Sequence, residues 1–171
     1  MMNRRSSLAR IAGVSLVACT SLVVGGCGFK LRGSQNFAFA SVAVMPQPGG
    51  SLAAELRRSF GGAVRVLALD EPLTQAQVVV DILQELREKT VVGVNSSGQV
   101  VAFQLRIRVK FKVRTPQGLE LTPETEVLLQ RDMSFSESAV LAKEAEEALL
   151  YRNMQSDLVQ QLVRRLASIK L

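Results

Sequence analysis

Between Val100 and Arg114 the chain reads V-V-A-F-Q-L-R-I-R-V-K-F-K-V-R, so Arg106, Arg108, Lys110, Lys112 and Arg114 recur at every second position. Cations at that spacing offer one kind of chemistry, the capture of anions such as phosphates, carboxylates or an acidic polymer. The rest of the inventory is thin. Histidine and tryptophan are absent, and without histidine the commonest general base and the commonest metal ligand are missing. The paired carboxylates Glu124 and Glu126 have the residue type a hydrolase needs, but they alternate on one strand face where the basic row can neutralise them. A binding role is expected, with no metal and no cofactor.

The elements that position these cations follow from periodicity. Val101, Phe103, Leu105, Ile107, Val109, Phe111 and Val113 alternate with the polar residues from Gln104 to Arg114, the signature of a strand with one buried face. Such a long strand needs neighbours on both edges. Gln77 to Val94 supplies one, with Val78, Val80, Ile82, Leu86, Val92 and Val94 as its apolar set, joined through the turn Asn95-Ser96-Ser97-Gly98. Leu119 to Phe135 supplies the other, after the turn Thr115-Pro116-Gln117-Gly118. Upstream, Ser41 to Met45 reads as a short strand, and Ser51 as the N-cap of a helix carrying Leu52, Leu56 and Phe60. Val64 to Leu69 can add a further short strand. Ser136 to Leu171 lacks glycine and proline and places Tyr151, Met154, Leu158, Leu162, Leu166 and Ile169 on one helical stripe. The expected fold is an α+β two-layer sandwich, two helices packed on one face of a mainly antiparallel four-stranded sheet.

Opposed residues must point to the same face, and this constrains the cations. A two-residue loop within Asn95 to Gly98 opposes Asp81 to Lys112, Glu85 to Arg108 and Arg87 to Arg106. Across the second turn, matching the apolar faces opposes Arg114 to Glu120, Lys110 to Glu124 and Arg108 to Glu126. Arg108, Lys110, Lys112 and Arg114 thereby each gain a carboxylate and serve the sheet. Arg106 faces Arg87 and, with Lys89, forms an uncompensated cluster that calls for an anionic partner. The hairpin tip beside it is apolar: Val91, Val92, Val94, Val100, Val101 and Ala102. A ligand with both phosphates and acyl chains suits that combination.

The N-terminus reads as a targeting segment. Arg4, Arg5 and Arg10 precede the apolar run Ile11 to Val24, which ends at Gly25-Gly26-Cys27. Small residues before a cysteine resemble a bacterial lipobox, making Cys27 the lipidated first residue of the mature chain. Leu16-Val17-Ala18-Cys19 is a rival site that leaves a shorter apolar run, and an uncleaved membrane anchor is a further alternative. The divisions are therefore 1–26 signal peptide, 27–40 lipidated cysteine and tether, and 41–171 a single domain. Setting aside Arg4, Arg5 and Arg10, the 21 basic residues fall to 18 against 15 acidic ones, a net charge of about +3 that is too mild to argue for nucleic acid.

Gly26-Cys27-Gly28-Phe29-Lys30-Leu31-Arg32-Gly33 resembles the opening motif of the LPS-assembly lipoprotein LptE family. The tail residues Gln161, Leu162, Arg164, Arg165, Leu166, Ser168, Ile169 and Lys170 are similar to the close of that family's terminal helix, and the order of elements agrees over nearly all of the mature chain. The resemblance implies an outer-membrane, periplasm-facing lipoprotein that plugs and assists the LptD β-barrel, takes part in delivering lipopolysaccharide to the cell surface, and catalyses nothing. It carries a lipopolysaccharide contact onto Lys143, in Val140-Leu141-Ala142-Lys143. A second basic position of the family, just before the hairpin turn, is Asn95 and Ser96 here, so Arg87, Lys89 or Arg106 is expected to take its role.

Overall fold

The computed structural model describes residues 35–171, apart from Pro48. The expected signal peptide and the lipidation site at Cys27 lie outside the described residues. Among those described, a five-stranded sheet is formed by β1 (Ser41–Met45), β2 (Arg65–Val66), β3 (Val78–Val94), β4 (Val100–Arg114) and β5 (Glu120–Ser134), in the order β2-β1-β3-β4-β5. Helices α1 (Ser51–Ser59) and α2 (Val140–Ala167) complete the domain. The α+β class is as expected, while the sheet has five strands and is mixed, because β1 runs parallel to both β2 and β3. The crossover through α1 makes that parallel pairing possible. Ser51 is the first helical residue and Gly50 the N-cap; no side-chain hydrogen bond caps α1. The Ser51 hydroxyl instead donates to Gln155 Oε1 at 2.9 Å, so the capping role expected of it is replaced by a link between the helices.

The core lies between the helices and one face of the sheet. Leu105, Ile107, Val109, Phe111 and Val113 of β4 are buried, as the alternation requires, and meet Met154, Leu158, Leu162 and Leu166 of α2. Twenty-eight residues at a helical rise give α2 a length of about 42 Å, close to the span of the strands it covers. Phe37 and Phe39, in the stretch read as tether, pack onto this same core. A small second cluster of Ala43, Leu67, Ala76 and Val79 closes the other face near β1.

The register departs from the simple hairpin in a way that decides where the cations point. Asp81 does oppose Lys112, but a bulge at Leu83 intervenes, and beyond it Glu85 opposes Val109, Arg87 opposes Ile107 and Glu88 opposes Arg106. The turn is one residue wider than expected: Asn95 N–H donates to Gln99 O, and the Asn95 side chain accepts from the N–H groups of Ser97 and Gln99. Gly98 supplies the positive φ, +81°, that this closure needs. Between β4 and β5 two irregularities, at Leu121 and at Pro123 and Glu124, each shift the pairing by one residue, so Lys110 opposes Glu126 and Arg108 opposes Leu128.

Candidate functional site

Three cations, Arg87, Lys89 and Arg106, are singled out by type and register and Lys143 by likeness, and the bulge at Leu83 distributes the three strand cations over two faces. Arg106 shares the outer face with Glu88 and Gln130, which flank it directly. Its Nε and Nη2 donate to Gln104 Oε1 at 2.8 and 2.5 Å. Arg87 and Lys89 oppose Ile107 and Leu105 and so point to the helix side. The expected cluster of Arg106 with Arg87 and Lys89 is therefore not formed, because the bulge at Leu83 turns the distal half of β3 over by one residue. Leu86, expected on the apolar face, is turned outward with it and is 39% exposed.

The outer row behaves largely as a set of ion pairs. Arg108 lies 3.5 Å from Glu126 and Lys110 lies 3.5 Å from Glu124, the partners expected, although the shifted register makes these contacts diagonal. Arg114 holds Asp81 at 2.7 Å, the carboxylate expected for Lys112, in place of the Glu120 expected for Arg114, because its guanidinium reaches across the strand to the diagonal neighbour. These are solvated pairs, each contributing a few tenths of a kcal/mol up to about 1.

On the helix side, a groove of about 750 Å³ opens between β3 and α2, lined by Arg87, Lys89, Glu144, Glu147, Ala148, Tyr151 and Arg152. Lys89 Nζ sits 2.6 Å from Glu147 Oε2 and 4.3 Å from the centre of the Phe103 ring. An ammonium over an aromatic face is attracted by the ring quadrupole, so this lysine is held at the groove wall from two sides. Arg87 is more firmly engaged: Nη2 donates to Gln155 Oε1 at 2.5 Å and to Ser51 Oγ and Glu85 Oε1 at 3.2 Å. Gln155 Nε2 in turn donates to Glu55 at 2.5 Å, so Arg87 braces β3 against both helices. Tyr151 donates its hydroxyl to the Glu88 carbonyl at 2.7 Å and ties α2 to the strand below. Burial, then the charge of Glu147, pushes the Tyr151 phenol above its ordinary value, with Arg87 pulling the other way.

Lys143 lies one turn before Glu147 on α2 and reaches toward β5, donating to Ser134 Oγ at 3.0 Å and to Glu146 Oε2 at 2.8 Å. Phe103 and Phe135, packed edge to face at 5.1 Å, occupy the sheet beneath this end. Around it Val91, Val92, Val94, Val101, Val140 and Leu141 are exposed, Leu141 at 82%. The site thus combines cations from β3 and α2 with an apolar rim at the hairpin tip. Periodicity gives Tyr151 only a place on the apolar helical stripe and does not single out Arg152. The spacing Glu144-Ala148-Arg152, at i, i+4 and i+8, was the available signal of a shared flank. Among the described residues no group of carboxylates, cysteines or histidines could hold a metal, and no helix is long and apolar enough to cross a membrane.

The family model for LptE, described as lipopolysaccharide-assembly, matches residues 35–166. The chain belongs to the LptE family. Its place in lipopolysaccharide assembly follows from that membership. An LPS-assembly lipoprotein LptE from Yersinia enterocolitica is 28% identical over 154 residues, covering 88% of this chain and 73% of the relative. One from Yersinia pestis strain Pestoides F is 27% identical over 157 residues, covering 90% and 74%. Among solved structures, lipoprotein B from Nitrosomonas europaea superposes with a TM-score of 0.71 at 30% identity, covering 82% of this chain and 91% of that one. The rare lipoprotein B from Shewanella oneidensis matches at TM-score 0.63 and 21% identity over 75% and 94%, a likeness of fold. The LptE tail motif, from Gln161 to Lys170, falls on the last turns of α2 and the residues after it.

Proposed function

We propose that this LptE chain binds lipopolysaccharide directly while seated as a plug in an LptD-like β-barrel, held to the periplasmic side of the outer membrane by acyl chains on Cys27. The role is one of binding and assembly, with no catalysis. The observation that carries the binding reading is the groove between β3 and α2 with Lys89 and Arg152 in its lining, together with Lys143 on the β5 flank of α2 and the exposed apolar side chains of the hairpin tip. Phosphates suit the lysines and Arg152, and acyl chains suit Val91, Val101 and Leu141. Arg87 contributes by bracing the groove wall. Arg106 belongs to this reading only as a second contact on the outer face, reached around the tip.

The test is lipopolysaccharide binding by the purified full chain, comparing wild type with Lys89→Glu, Lys143→Glu, Arg152→Glu and Arg106→Glu. Loss of about tenfold or more for Lys89→Glu and Arg152→Glu supports the groove, and the same loss for Lys143→Glu extends the contact to the β5 flank of α2. Unchanged binding in all four sinks it. A purely structural role in barrel assembly is the competing reading, and it draws on one observation: Lys89 and Lys143 already hold Glu147 and Glu146. Retrieval of a single large β-barrel with the tagged chain, together with no cross-link from lipid A, favours that alternative.

A further inference from the structure

A second cavity, of about 410 Å³, lies at the opposite end of the sheet from the groove. Its floor is Phe111, Val113 and Leu166, its walls are Leu121 and Ile169, and Arg165 and Lys170 stand at its mouth. That volume is within the range of small-ligand sites, and the lining joins five apolar side chains to Thr122, Thr125, Ser168, Arg165 and Lys170, an amphipathic composition. Two features point to an occupant. The β5 bulge leaves Pro123 and Glu124 between the partners of Val113 and Phe111, where β4 has Lys112 alone, and the residues that flank it, Thr122 and Thr125, line the cavity. Arg165 and Lys170 make no ion pair among the described residues, whereas most cations of the groove and the outer row do. Part of the reason for Arg165 is the helix C-terminus, which favours cations. That accounts for neither Lys170, beyond the helix, nor the apolar hollow beneath.

We infer that this cavity seats an acyl chain of an anionic phospholipid, with the headgroup phosphate on Arg165 and Lys170. The position agrees with a lipid surface. The paired row Ala43, Val79, Arg114 and Glu120 puts the start of β1 at the same end of the sheet, so the described chain enters there. The location relative to a membrane rests on the reading that Cys27 carries the anchor; the cavity and its charge do not.

The test uses the full chain in a zwitterionic detergent, titrated calorimetrically with a short-chain phosphatidylglycerol, a phosphatidylcholine of equal chain length, and inorganic phosphate. Phosphatidylglycerol should bind, phosphatidylcholine about tenfold more weakly, and phosphate alone not measurably. Thr122→Trp, which fills the cavity, should abolish the heat, and Arg165→Glu with Lys170→Glu should weaken phosphatidylglycerol about tenfold. If Thr122→Trp fails to fold by circular dichroism, the exposed charge-reversal pair decides alone. Equal binding of the two lipids, binding of phosphate as tight as that of phosphatidylglycerol, or indifference to the variants overturns the inference. So does a Thr122→Trp chain whose residues 27–34 become newly open to protease, which would make the chain's own N-terminal segment the occupant. Lys89→Glu with Lys143→Glu should leave phosphatidylglycerol binding intact, so failure of the groove and failure of this cavity read differently.

Discussion

Glu147→Gln should weaken the fold and tighten anion binding at once. Lys89 and Glu147 meet at 2.6 Å with side chains 34% and 23% exposed, and an incoming phosphate has to displace the carboxylate before it can use the lysine. A charge-assisted hydrogen bond contributes about 1.5–3 kcal/mol in a protected setting, while exposed pairs contribute about 0–1. With a third of the lysine in water, roughly 1 kcal/mol is the reasonable figure, or about fivefold in a binding constant. The amide keeps the shape of Glu147 and removes its charge. Urea unfolding should show up to about 1 kcal/mol of lost stability, and titration of fluorescent lipopolysaccharide at low salt should show about fivefold tighter binding. Adding salt should shrink the gain, and Lys89→Ala should erase it in a double-mutant cycle. Glu147→Gln weakening lipopolysaccharide as much as Lys89→Ala does would refute the reasoning, since the pair would then act as one structural unit.

The remaining expectations concern the scaffold. Gly49 has φ +69°, and a Cβ there would meet Pro46 O at 2.6 Å and Ala53 Cβ at 2.7 Å; Gly49→Ala should therefore cost about 1–3 kcal/mol, read as a lower urea midpoint at unchanged slope. Leu158 is fully buried between α2 and the sheet, so Leu158→Ala should cost about 2–5 kcal/mol by the same measurement. Tyr151→Phe should cost about 1 kcal/mol at neutral pH through the lost hydrogen bond to Glu88 O. The folded state holds the Tyr151 proton above the ordinary phenol value, so wild-type stability should fall as pH rises past about 10, and Tyr151→Phe should flatten that alkaline slope in unfolding measured at about pH 7 and pH 11.

What the sequence makes legible is whatever repeats regularly. Strict alternation through Leu105, Ile107, Val109, Phe111 and Val113 identified the central strand and its buried face, and the stripe of Met154, Leu158, Leu162 and Leu166 identified the helix that covers it. Local irregularities were not legible. Leu83 looks like any strand residue, yet the bulge there moves Arg87 and Lys89 to the helix side and Leu86 to the outside. Pro123 carried a hint, since proline donates no ladder hydrogen bond, but its position within a bulge was visible only in the pairing. The outer-row partners of Arg108 and Lys110 were still foreseen, because long side chains reach diagonal neighbours as readily as direct ones. The site was half legible: Lys89 and Lys143 were named from type and likeness, whereas Arg152, Tyr151 and Glu147 join them only through the approach of α2 to β3.

The bulge at Leu83 works like a reading frame. Upstream of it one parity of β3 faces the helices, and downstream the other parity does, so strand positions on its two sides carry opposite meanings. Loss of one residue between Gln84 and Arg87, with the bulge kept, would put the distal segment out of frame, sending Arg87 and Lys89 to the outer face and Glu88 under α2, whereas loss of Leu83 itself would only straighten the strand and leave Gln84 opposite Lys110. Loss or gain of residues within Asn95 to Gln99 sits at the end of that frame and disturbs little before it. Relatives should accordingly differ in length at the hairpin turn while keeping the count of residues from Val78 to Val94. A relative that lacks the bulge should show the opposite parity of charge beyond it.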